Sequence, residues 1–159
     1  MASDETFQAY SLREKWLATL FSFFEALKAE RSLYVLTWPK GHDLLFSKTS
    51  TQLREKYLEQ ASKWIDEGEQ ESTIKEGCIP MELKQEITWW HFVFLIDFWL
   101  KDDSKGFERT DVLIEKTVHL LFDVMGHEMG EKLVDLVKFL APNHTNPMDL
   151  FSRLKTALG

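Results

Sequence analysis

The run from His127 to Glu131, HEMGE, comes closest to a metal site in this sequence. It begins like the HExxH helix of zinc proteases, in which two histidines one turn apart bind zinc and the glutamate acts as a base. Here the second ligand position holds Glu131, and glycines at positions 126 and 130 disfavour a helix. Since zinc needs three or four converging ligands, we interpret the run as a polar helix junction and predict no metal, no cofactor and no catalytic residue.

Three other side chains could carry chemistry, and each has a structural interpretation beside the functional one. Asp97 lies in an apolar stretch, where it either forms an i,i+4 ion pair with Lys101 or serves as a polar anchor in a pocket. His91 is either a hydrogen-bonded histidine at the edge of the core or a polar group of that pocket. Cys78 precedes a helix start, but no catalytic partner accompanies it, so we interpret it as incidental.

The element that must position these groups is the stretch EITWWHFVFLIDFWL, residues 86–100. From Trp89 to Leu100, ten of twelve residues are apolar and six of those are aromatic. The run is too short for a membrane-spanning helix, which needs about 20 residues. A helix that is apolar on all sides is enclosed on several of them. Either a partner chain or a ligand pocket could therefore occupy the face that one core does not use.

Length and composition point to one helical domain over residues 1–159, with a flexible lead over residues 1–10. Hydrophobic residues make up 44% of the chain and charged residues 28%, which is typical of a globular protein. The net charge of −7 argues against binding to DNA phosphates. A single cysteine fits a reducing compartment, and the acidic start is unlike a signal peptide, so we expect a cytoplasmic protein without a membrane span.

Apolar spacing and cap residues predict an all-α fold of six to seven helices. Ser11 and Glu14 have the form of a capping box at the start of the first helix. Thr110 or Asp111 is the expected cap of the fifth, and Asn146 with Pro147 the start of the last. The predicted helices cover residues 11–31, 33–38, 50–68, 82–101, 110–125, 132–140 and 147–158.

The run over residues 97–116, DFWLKDDSKGFERTDVLIEK, and the FDVMG stretch over residues 122–126 carry a family resemblance. They resemble the C-terminal, ligand-binding domain of tetracycline-repressor-like (TetR-like) regulators, and most of all a subgroup common in Bacteroidetes-type bacteria. The resemblance extends over the helices from Ser11 to Leu140. It implies a helix bundle with a two-helix dimer face and an apolar pocket.

One departure from that family concerns DNA. TetR-like regulators begin with a three-helix DNA-binding domain, whereas this sequence leaves no room for a helix-turn-helix ahead of Ser11. We therefore expect no direct binding to duplex DNA. Lipid-binding proteins of coenzyme Q biosynthesis also resemble this fold without binding DNA, which makes them an alternative relationship.

Two functions follow as hypotheses, and the first is a non-catalytic regulatory module that holds an apolar small molecule or lipid. Its pocket is expected between helices 11–31, 50–68 and 82–101, because all three carry aromatic residues. The predicted ligand-binding residues are Phe24, Tyr57, Trp64, Trp89, His91, Phe92 and Asp97.

The second hypothesis is an interaction module with the same bundle and a collapsed pocket, which serves dimerisation or the docking of another protein and holds no ligand. Both hypotheses include a symmetric homodimer through helices 82–101 and 110–125, which a short loop joins into an antiparallel pair. The first of these helices is apolar on more faces than one core can use. The predicted interface residues are Leu95, Phe98, Trp99, Ile114, Val118 and Leu121.

Overall fold

The computed structural model describes residues 7, 9–38, 48–77, 79–126, 132 and 135. Among these residues there is no β-strand, and the predicted all-α fold is confirmed. None of the described helices combines the length and the apolar character that a membrane crossing requires. The HEMGE run, Cys78, the predicted helix 147–158 and most of the predicted helix 132–140 lie outside the described residues.

Helices α1 to α5 correspond to the first five predicted helices. Helices α1 and α2 are separated by a 3₁₀ turn at Lys28–Glu30, and a second 3₁₀ turn, Lys105–Phe107, leads directly into α5. The bounds of the five helices are α1 Leu12–Leu27, α2 Arg31–Thr37, α3 Lys48–Gln70, α4 Met81–Lys101 and α5 Glu108–Met125.

The chain forms two compact units. The first unit contains Met1–Trp38 and His91–Phe122, and the second contains Pro39–Trp90 and Asp123–Gly159. Both α4 and α5 contribute residues to each unit.

Helix α1 begins as its sequence predicts. The Ser11 backbone N–H donates to the Glu14 carboxylate at 2.8 Å, and the Glu14 N–H donates back to the Ser11 hydroxyl, which completes the predicted capping box. The buried residues of α1 follow at intervals of four, so one stripe of the helix faces the core. They are Leu12, Trp16, Leu20 and Phe24.

The predicted cap of α5 is wrong. The helix begins at Glu108, two residues before Thr110, and the capping carboxylate comes from Asp102 in the preceding loop. One Asp102 oxygen accepts hydrogen bonds from the Thr110 N–H at 2.9 Å and the Thr110 hydroxyl at 2.6 Å, and the other accepts from the Ser104 N–H at 2.9 Å. The loop therefore supplies the anion that a helix N-terminus favours.

Candidate functional site

A chain of aromatic rings runs through the first unit. Ring centroids are 5.1 Å apart between Phe92 and Phe23, 5.4 Å between Phe23 and Phe24, and 5.7 Å between Phe24 and Trp99. The chain ends at Phe107, 6.0 Å from Trp99. All four pairs are tilted or edge-on, as aromatic pairs prefer. These rings pack on one another, with Phe24, Phe92 and Trp99 buried in the core.

The predicted ligand-binding residues of the first unit fall into three places. Phe24 and Phe92 come together through Phe23, the ring that both contact. Asp97 is exposed and accepts a hydrogen bond from Lys101 at 2.6 Å, so the ion pair is the arrangement found. The imidazole of His91 is hydrogen-bonded to a residue of α5 instead.

The His91 imidazole has a defined tautomer. Its Nε2 lies 2.8 Å from the Thr117 hydroxyl oxygen, and that hydroxyl donates its own hydrogen to the Leu113 carbonyl at 2.7 Å. Nε2 must therefore donate, and Nδ1 is left as a buried acceptor with no hydrogen-bond partner among the described residues. Burial lowers the pKa of His91 to about 4, so the ring is neutral at pH 7.

The predicted ligand-binding residues of the second unit are Tyr57, Trp64 and Trp89. The rings of Tyr57 and Trp89 lie 5.8 Å apart, and the Tyr57 hydroxyl donates to the Thr88 carbonyl at 3.0 Å. Trp64 is buried on the same helix as Tyr57. The structure thus brings Tyr57 and Trp89 into contact and places Trp64 in the core.

The predicted dimer residues are mostly interior to the chain. Phe98 is half-buried, but the other five are almost completely removed from solvent. Because these five already pack inside one chain, they offer no surface to a second one. They are Leu95, Trp99, Ile114, Val118 and Leu121. Any dimer contact of α4 and α5 therefore rests on other side chains of the same two helices.

Those other side chains form what we call the α4–α5 face. Phe94 and Val112 are each 50% exposed, and Leu120 is 55% exposed, which is high for large apolar residues. Phe94 lies one helical turn before Phe98, while Val112 and Leu120 lie two turns apart on α5, so each helix presents a stripe. The α4–α5 face consists of Phe94, Phe98, Val112, Leu113 and Leu120.

An open groove of about 410 Å³ lies within this face. Its apolar lining comes from Phe98, Val112 and Leu113, and its charged lining from Glu108, Arg109 and Lys116. The Arg109 guanidinium carbon lies 5.9 Å from the centre of the Phe98 ring, a cation–π contact that joins the two helices. An apolar centre with a charged border is the usual composition of a protein–protein interface.

Arg31 contacts the connection between α4 and α5, residues 102–107, which we call the joint. No sequence pattern indicated this role of Arg31. One terminal nitrogen of its guanidinium donates to the carbonyls of Trp99, Leu100 and Asp102 at 3.2, 2.9 and 3.0 Å. The guanidinium carbon also lies 5.6 Å from the Trp99 ring centre and 5.0 Å from that of Phe107. These partners are far from Arg31 in sequence, so a local pattern contains no signal of them.

Within the part of the chain that the structure describes, no three histidine, cysteine, aspartate or glutamate side chains are placed to hold a metal ion.

The family described as tetracyclin repressor-like, C-terminal domain, matches residues 15–140, which is well over half of the chain. No curated protein and no solved structure matches the sequence.

Proposed function

Because this chain belongs to the tetracycline repressor-like C-terminal domain family, we propose that it is a non-catalytic regulatory module that binds an apolar small molecule or lipid and acts as a homodimer. The family is in general a ligand-binding, regulatory one, and its domains typically dimerise. The module is expected to work in the cytoplasm, since its single cysteine suits a reducing compartment.

The observation that carries the dimer is the exposed α4–α5 face. Phe94, Val112 and Leu120 are each at least half exposed on adjacent helices, and the groove beside them has an apolar lining. Soluble monomers rarely leave contiguous apolar surface of this kind in water. A two-fold axis through the face would let the same surface cover itself, as in most homodimers.

The dimer is tested by substituting residues that are exposed in a single chain. Val112→Glu and Phe94→Glu place a charge in the proposed interface without disturbing the core. Leu36→Glu is the matched control, because Leu36 is a large apolar residue that is 83% exposed on α2 and does not line the groove. Analytical ultracentrifugation over a range of concentrations should show a native dimer, weakened by both face variants and unchanged by the control.

A native chain that sediments as a monomer at every concentration would refute the dimer. A native dimer that both face variants leave intact would show that the contact lies on another surface. Val118→Glu is unsuitable for this purpose, because Val118 is buried and a charge there would unfold the chain.

The ligand part of the proposal is supported by the family and by the aromatic content of the helices. Mass spectrometry of an organic extract of the purified protein is the direct test. An apolar molecule present in proportion to protein would support a binding module, including one that resembles the lipid-binding proteins of coenzyme Q biosynthesis. Extracts without any such molecule would favour an interaction module that dimerises or docks another protein and holds no ligand.

The proposal also excludes direct recognition of duplex DNA. The net charge of −7 leaves few positive groups to replace the counterions of DNA phosphates. A gel-shift assay with this protein at micromolar concentration should show no complex, and a salt-sensitive complex would contradict this point.

A further inference from the structure

The joint between α4 and α5 is stabilised at both helix ends by opposite charges. At the end of α4 the Arg31 guanidinium binds the carbonyls of Trp99 and Leu100, which are among the last four carbonyls of the helix and lack an i+4 N–H partner within it. At the start of α5 the Asp102 carboxylate accepts from Thr110. A cation at a helix C-terminus and an anion at an N-terminus both complement the helix dipoles.

The backbone between these two ends is strained. Gly106 has φ 66° and Phe107 has φ 65°, two successive left-handed residues of which only the first is a glycine. A side chain disfavours that conformation, so neighbouring contacts must hold it. The Phe107 ring is held by Trp99, by the Arg31 guanidinium and by the Lys28 ammonium, 5.8 Å from its centre.

The joint continues into the α4–α5 face through Arg109. The Arg109 N–H donates to the Ser104 hydroxyl at 3.2 Å, and the Arg109 guanidinium lies 3.8 Å from the Asp103 carboxylate. The same guanidinium covers the Phe98 ring and borders the groove. Arg109 therefore contacts both the joint, through Ser104 and Asp103, and the groove, through Phe98.

We propose that Arg31 is a positioning residue for the α4–α5 face, which makes dimerisation sensitive to the position of α2. Arg31 is the first residue of α2, and its contacts fix the end of α4 and the strained turn that leads into α5. A shift of α2 would withdraw the guanidinium, release the turn and alter the spacing of Phe98 and Arg109. The inference rests on the proposed dimer, and it identifies α2 as the element through which a signal reaches the dimer contact.

The test compares two arginine-to-methionine variants. Arg31→Met removes the donors and keeps the apolar part of the side chain, whereas Arg54→Met removes an ion pair with Glu86 in the second unit. Arg31→Lys is a milder variant that retains a charge near the carbonyls, for use if Arg31→Met does not fold. Two quantities are measured for each: the dimer dissociation constant, and the hydrogen exchange of backbone amides over residues 108–116.

Arg31→Met should weaken the dimer by roughly tenfold or more and accelerate exchange over residues 108–116, with Arg31→Lys intermediate. Arg54→Met should change neither quantity. If Arg31→Met lowers thermal stability but leaves both quantities equal to those of Arg54→Met, Arg31 is only structural and the inference fails. If the native chain proves monomeric, the proposed dimer fails, and the exchange data alone decide whether Arg31 positions the face.

Discussion

Different forces stabilise the interior of each of the two units. In the first unit, Phe23, Phe24 and Trp99 pack ring against ring, and the cation of Arg31 stacks on the end of the series. This packing is non-directional and depends on shape and volume. The same unit carries an apolar surface on α4 and α5 that no described residue covers completely.

In the second unit, polar pairs connect α3 and α4. Arg54 pairs with Glu86, and the Gln85 amide donates to the Ser62 hydroxyl at 2.7 Å. Lys84 is only 1% exposed, and its ammonium binds a Glu69 carboxylate oxygen and a backbone carbonyl. Hydrogen bonds and ion pairs are directional, so they fix the register of two helices.

The difference teaches that α4 changes its role along its length. Its first half is held to α3 by directional side-chain bonds, whereas in its second half aromatic packing dominates and exposed apolar surface remains. Substitutions should therefore have different signatures in the two units, and the following predictions start with the largest expected effect.

Removing a ring from the first unit should have the largest effect. Trp99 is completely buried and contacts Phe24, Phe107 and Arg31. Trp99→Ala should lower the free energy of unfolding by about 3–5 kcal/mol, because it leaves a large cavity. Chemical denaturation at one protein concentration measures the loss. Trp99→Phe, which keeps a ring, should lose clearly less, and a similar loss in both variants would mean that cavity formation is not the cause.

In the second unit the size of the effect should depend on which partner is removed. Glu69→Ala leaves the buried Lys84 charge without its carboxylate and should cost about 3 kcal/mol of unfolding free energy. Lys84→Met replaces the charge by an apolar side chain of similar length, with a change within about 1 kcal/mol. Thermal or chemical denaturation of both variants distinguishes them. Equal losses would show that leaving the Lys84 charge without Glu69 costs no more than removing that charge.

The Asp102 carboxylate is a charged group in the first unit, where aromatic packing dominates. Its contribution to the free energy of unfolding should therefore depend on pH. Burial raises the pKa of Asp102, but hydrogen bonds from Thr110 and Ser104 outweigh that effect and lower it from 3.8 to about 2. A lowered pKa stabilises the folded state above the unfolded pKa, and this stabilisation is lost as pH falls toward 2.

Asp102→Asn should therefore lower the free energy of unfolding by about 2 kcal/mol at pH 6, and the difference from the native chain should shrink between pH 4 and pH 2. Denaturation curves at several pH values measure this difference. A gap that stays constant down to pH 2 would assign the effect to lost hydrogen-bond geometry and not to the charge.

The smallest effect is expected for the exposed pair of Asp97 and Lys101. Both side chains are in water, where ion pairs on helices contribute only about 0.3–0.5 kcal/mol. Lys101→Ala should change the free energy of unfolding by no more than that, and less at high salt. A loss above about 1 kcal/mol would indicate that Asp97 has a further role.

Sequence patterns predicted the parts of this fold that depend on neighbours in the chain. The capping box of Ser11 and Glu14 spans three residues, and the buried stripe of α1 repeats every four, so both are visible in the sequence. The Asp97–Lys101 pair is local in the same way. The cap of α5 was missed because Asp102 acts across eight residues and a turn with two left-handed positions.

The α4–α5 face could not be predicted because α4 is apolar on almost every side. Periodicity reveals the buried side of a helix only when the other side is polar, and here Phe94 and Leu95 are neighbours of similar character. The structure exposes Phe94 and buries Leu95. Leu95 and Trp99 were predicted to contact a partner chain, whereas both are buried inside this one. Arg31 was missed because its partners lie about seventy residues away.

The local closure of the α4–α5 joint also bears on how the chain folds. Asp102, Ser104 and Thr110 lie close in sequence, so the loop they close is short and its entropy cost is small. An antiparallel helix pair with such a joint belongs to the contacts that form early, whereas Arg31 must find its carbonyls across a long loop. In stopped-flow experiments, Asp102→Asn should then slow refolding, and Arg31→Lys should mainly accelerate unfolding. The strained turn would therefore form early in folding, and the Arg31 contacts that hold it would form late.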